Sequence, residues 1–126
     1  MKPDHFLRAT RDAGLETGRP VSPSERSRWK GPRLPNDLLG FFKKANGVNF
    51  GHVRLLPLRE IRPATEVLFR HQDDEDDALP DTWLALTDDV EEPLLLDVVA
   101  RVYRSLDDEI GRTWEEALDW LFAKYL

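Results

Sequence analysis

The densest run of reactive side chains in this chain is Asp73, Asp74, Glu75, Asp76 and Asp77, and a second acidic stretch, Asp88, Asp89, Glu91 and Glu92, follows in "DDVEE". Carboxylates packed this closely suit two chemistries: a cage for a hard cation, or a surface that imitates the phosphates of nucleic acid for a basic protein. A calcium cage places its ligands at alternating positions around a glycine that turns the chain sharply. No glycine interrupts either stretch, so no metal is expected. Zinc is not expected either, because His5, His52 and His71 fall in separate segments without HExxH or HxH spacing and the chain has no cysteine. Two readings of the run 73–77 stay open, a solvated connector and a surface that steers a basic partner.

Nucleophilic and phosphate chemistry find less support. Ser22, Ser24, Ser27 and Ser105 lack the GxSxG setting of a nucleophile elbow, and "ANGVNFG" is a helix exit with two glycines rather than a phosphate cradle. The expectation is a protein without catalytic residues or cofactor. Arg26, Arg28, Lys30 and Arg33 form a basic cluster whose favoured reading is a counterweight to the acidic half, not a nucleic-acid interface. That asymmetry is large: residues 1–62 carry 13 Lys and Arg against 6 Asp and Glu, a balance of +7, whereas residues 63–126 carry 5 against 18, a balance of −13. An acidic half of this kind repels nucleic acid and attracts basic proteins. Among the four tryptophans, Trp83 and Trp114 read as core, while Trp120 lies off the apolar stripe of its helix and is a candidate partner-binding anchor beside the acidic residues.

The elements that must carry these residues are legible from periodicity and caps. "PDHFLRATRDAG" reads as a helix capped by Asp4 and ended by Gly14, and "SPSE" is a capping box opening a short helix through about Trp29. In "LPNDLLGFFKKANGV" the apolar residues 34, 38, 41, 42 and 45 share one helical face, Pro35 takes the first helical position, and Asn46-Gly47 forms the exit. Gly40 inside this helix suggests a close neighbour. "HVRLLPL" alternates as a strand, with Leu55 and Leu56 on opposite faces, and Arg59 to about Phe69 has helical spacing. "TWLALT", "PLLLDVV" and "RVYRSL" read as an antiparallel meander, and "TWEEALDWLFAKYL" as a capped closing helix over the sheet. The fold class is α+β, mainly an antiparallel sheet with N-terminal helices and a C-terminal helix packed on it.

A chain of 126 residues fits one domain, taken as an extension over 1–21 and a core over 22–126. The absence of a long apolar run and of cysteine suits a cytoplasmic protein that does not enter membranes.

The order of these motifs resembles the SUKH superfamily, which contains the fungal cell-wall-assembly regulator and many bacterial toxin-immunity proteins. The resemblance lies in Leu34-Pro35, the pair Phe41-Phe42, Asn46-Gly47, "LLPLREI", "WLALTDD", "LLLD" with "RVY", and "TWEEALDWL". It covers about three quarters of the chain, although "DDVEEP" lacks the glycines common at that turn and residues 1–21 have no clear counterpart. The resemblance implies a non-enzymatic binding protein. An immunity protein that occludes a cognate toxin, often a nuclease, is the leading expectation, and a regulatory scaffold is the alternative.

Overall fold

The computed structural model describes residues 1–68 and 79–126. Helix α1 spans Pro3–Asp12, and Phe6 on its inner face is wholly buried. The sequence points to Asp4 as its cap, but Lys2 holds that position without a side-chain bond, because Pro3 is seated in the first turn. Asp4 instead pairs with Lys44 at 2.6 Å. Gly14 ends the helix at φ +74°. Strand β1, Glu16–Thr17, then pairs antiparallel with β2, Val48–Asn49. Phe6 and Val21 thus lie in the same buried cluster as Leu38, Phe41 and Trp114.

Helix α2, Pro23–Ser27, has the expected capping box, with the Ser22 hydroxyl accepting from the Glu25 N–H and the Glu25 carboxylate accepting from the Ser22 N–H. It stops short of Trp29, whose indole N–H turns back to the Pro32 carbonyl at 2.9 Å. Helix α3, Asn36–Phe42, buries Leu38, Phe41 and Phe42, and Leu34 and Ala45 on either side are buried with them. Pro35 is its cap rather than its first helical residue. Gly47 exits at φ +102°, where a Cβ would also stand 2.8 Å from the Leu55 carbonyl oxygen, so glycine is required twice over. Gly40 has no such reason. Among the described residues, nothing beyond its own helix lies within 4 Å of where its Cβ would be.

The strand in "HVRLLPL" contracts to β3, Arg54–Leu55, paired with β2. Leu56 does not face outward. It is buried, and its N–H donates to the Leu86 carbonyl at 2.8 Å, which together with the Leu55–Thr87 bridge joins the first sheet to the second. The helix read over 59–69 divides into a 3-10 turn, Leu58–Glu60, and α4, Ala64–Leu68, with Ile61 buried between them. Pro63 causes the division, because it lacks an N–H and disfavours helical geometry at Arg62.

The second sheet is the expected meander with one strand more: β4 Trp83–Ala85, β5 Leu95–Asp97, β6 Val102–Arg104 and β7 Glu109–Gly111, in that order and antiparallel throughout. Helix α5, Trp114–Tyr125, closes the core with Trp114, Ala117, Leu118 and Leu121 buried. Its start is fixed by Asp37 of α3, which accepts from the Trp114 N–H at 2.7 Å and from the Tyr103 hydroxyl at 3.2 Å. Trp114 packs edge-on against Phe41 at 5.2 Å and tilted against Tyr103 at 5.5 Å, so α3, β6 and α5 meet in one aromatic cluster. The architecture is α+β, and no helix among the described residues is long and apolar enough to cross a membrane.

Candidate functional site

The β4–β5 hairpin fixes the second acidic stretch at one end of the sheet. Thr87 is buried and its hydroxyl accepts from the Leu94 N–H at 2.9 Å, which closes the hairpin and projects residues 88–92 outward. Asp88 turns inward, accepting from the Arg54 N–H at 2.7 Å and from Arg54 Nε at 3.2 Å. Arg54 also forks onto both oxygens of Glu60, at 3.0 and 3.2 Å, and these carboxylates keep its guanidinium proton held more firmly than usual. Asp88 is therefore part of the seam between the sheets.

Asp89 shapes the turn. One carboxylate oxygen accepts from the Glu91 and Glu92 N–H groups at 3.0 and 3.2 Å, and the other accepts from the Tyr125 hydroxyl at 2.8 Å. Partial burial pushes its pKa up, but the Tyr125 hydroxyl, the two N–H groups and Lys124 outweigh this and hold it below the usual carboxylate range. Lys124 pairs with Glu92 and stands 4.0 Å from Asp89, while Tyr125 stacks on Phe50 at 4.6 Å. The C-terminal turn of α5 thus clamps this acidic turn in place.

Among the described residues, Val90, 58% exposed, and Glu91, which is also exposed, have no side-chain partner at the tip. Across from Glu91 lies the turn Ser105–Asp108, closed by the Ser105 N–H to the Asp108 carbonyl at 2.8 Å. Asp89, Glu91 and Glu92 from one turn and Asp107 and Asp108 from the other line a cleft of about 270 Å³, together with Lys124. "SLDDE" carried the signal, a pair of aspartates ending a strand as in "LTDDVEE", but reading "RVYRSL" as strand hid the turn. Trp120 is half-buried against the core, with the Lys124 ammonium 5.3 Å above its ring. It therefore supports the same lysine that clamps Glu92. Asp73, Asp74, Glu75, Asp76 and Asp77 lie outside the described residues.

The basic cluster is the expected counterweight to the acidic half, whose run 73–77 lies outside the described residues. Among the described residues, Arg26, Arg28, Lys30 and Arg33 make no ion pair, and the acidic half is served there by Arg54, Lys124 and the N-terminal ammonium, which meets Asp119 at 2.8 Å. Nor do any three His, Asp or Glu side chains among the described residues converge as metal ligands. Comparison with protein-family models, with curated proteins and with solved structures finds no match. The resemblance to the SUKH superfamily rests on the chain's own residues and their order.

Proposed function

We propose that this chain is a non-enzymatic protein-binding domain of the immunity type, which binds and neutralises a cognate toxin bearing a basic surface. The observation that carries the reading is the cleft lined by two acidic turns, with the exposed Val90 standing in sequence between its lining residues Asp89 and Glu91. The exposed valine supplies apolar contact, and the charges beside it supply steering and register. Asp89 and Glu92 are already held by Tyr125 and Lys124. Little side-chain freedom is then lost when a partner docks, which favours affinity. The charge balance of the second half and the order of motifs shared with the SUKH superfamily support the same reading.

The test is association with the toxin encoded beside this chain's gene, followed at low and high salt. Replacing Glu91 with Gln and Asp107 and Asp108 with Asn lowers the association rate about tenfold or more at low salt and flattens its salt dependence, because screening acts within ~8 Å at physiological ionic strength. Val90→Ala raises the dissociation rate instead. The parallel variant with Asp73, Asp74, Asp76 and Asp77 changed to Asn reports whether that run adds to steering. Rates and salt slopes equal to wild type in both charge variants refute the acidic-surface reading, and failure of co-expression to protect cells from the toxin refutes immunity.

A further inference from the structure

A second concavity, of about 520 Å³, opens between the loop after α2 and the segment from Leu58 to Pro63. Its size falls within the range of roughly 300–1,000 Å³ usual for small-molecule sites. The floor is apolar and reaches the core: Leu58, Ile61 and Leu84 line it, yet each is at most 2% exposed. One wall is the Trp29 indole, held by its N–H on the Pro32 carbonyl and pressed against Gly31, where a Cβ would come within 2.4 Å of the ring. Glycine at 31 thus lets the indole lie flat, and the wall exists before any ligand arrives.

The rim has a different character. Arg28 and Lys30 come from the loop after α2, Arg59 from the 3-10 turn and Arg62 from the segment before α4. All four are exposed. Two carboxylates share the lining, Glu25 and Asp81, but Glu25 is committed to the Ser22 capping box and to the Asn46 side-chain amide at 3.2 Å. Among the described residues Arg59 has only a long contact of 3.9 Å with Glu60, which is already forked by Arg54. Among the described residues Arg28, Lys30 and Arg62 form no ion pair. Like charges gathered over an apolar, low-dielectric floor focus a positive potential into it.

We infer that this concavity binds a small amphipathic organic anion, an aromatic or branched apolar body carrying a phosphate or carboxylate. An uncharged apolar ligand leaves the cations without partners, and a bare inorganic anion leaves the floor wet. A molecule with both parts satisfies both, with its ring against Trp29 and the Leu58, Ile61, Leu84 floor and its anion at the rim. The sign of the potential is opposite to that of the acidic cleft, so this site does not take the basic partner proposed above, and the two proposals stand or fall separately.

The test uses phenyl phosphate as probe in titration calorimetry, with phenol and inorganic phosphate as controls, on the full chain. Phenyl phosphate is expected to bind saturably and about tenfold or more tightly than either control. Arg28→Gln combined with Arg59→Gln should weaken it about tenfold while leaving the melting temperature unchanged, since both side chains are exposed. Gly31→Ala should weaken it independently, by forcing the indole out of its place. Equal binding of inorganic phosphate overturns the inference, as does an unchanged affinity in the double arginine variant. So does binding that appears only after Asp73, Asp74, Asp76 and Asp77 are changed to Asn, which would mean that the chain neutralises its own rim. Tight binding of a Phe-containing acidic peptide with no response to phenyl phosphate also overturns it, and makes the concavity a peptide dock.

Discussion

Asn46 is a buried polar residue, 8% exposed, that ties three segments together. Its side-chain oxygen accepts from the Leu58 N–H at 2.8 Å, its side-chain nitrogen donates to Glu25 at 3.2 Å, and its own N–H donates to the Gly18 carbonyl at 3.2 Å. Asn46→Ala removes the first two and keeps the third. The Leu58 N–H is then left buried without an acceptor, at a cost of roughly 1–3 kcal/mol, and the lost donor to the Glu25 carboxylate adds roughly 1 kcal/mol. The sum is about 2–4 kcal/mol, read as a lower denaturant midpoint with an unchanged slope. Asn46→Asp is more discriminating. It keeps the acceptor for Leu58 but sets a second carboxylate against Glu25, so the folded-state pKa of the introduced acid is raised. Its contribution is then present at low pH and lost as pH rises, and the variant should be closer to wild type near pH 4 than near pH 7. A loss below about 1 kcal/mol for Asn46→Ala, or a pH-independent deficit for Asn46→Asp, would refute the clamp.

Three further outcomes are expected. Phe42→Ala should cost ~3–5 kcal/mol in chemical denaturation, as for other buried phenylalanines, and a loss under ~1 kcal/mol would remove α3 from the core. Gly40→Ala should stabilise the protein by up to ~1 kcal/mol, since the helix gains propensity and the added methyl meets open space; destabilisation in the same assay would reveal a neighbour. Burial first, then the charge and hydrogen bond of Asp37, raise the Tyr103 hydroxyl above its ordinary 10.0, and burial with Asp89 does the same to Tyr125. The stability that these neutral hydroxyls contribute is complete below pH 10.0 and is lost as pH climbs past it, so Tyr103→Phe should flatten alkaline unfolding relative to wild type.

Elements whose causes are local are legible from the residues alone. The Ser22–Glu25 capping box, the buried face of α3, the Gly47 exit and the apolar stripe of α5 each depend on residues within a few positions of one another, and all are where the spacing put them. Boundaries moved where a second local rule competed, as at Pro3 and Pro63. The fourth strand of the meander is not legible in "DEIG", which is short and mostly polar, because pairing with β6 rather than propensity makes it a strand. The acidic turn 88–92 was visible as charge, but charge carries no direction. Only the tertiary structure separated Asp88, spent on Arg54, from Glu91, left at the tip, and brought residues 107–108 opposite them across two hairpins. The basic-rimmed concavity has the same origin. Its cations come from three segments spread over residues 28–62, and its floor adds Leu84 from a strand beyond. No periodicity links such positions, because they are neighbours only after the core has closed.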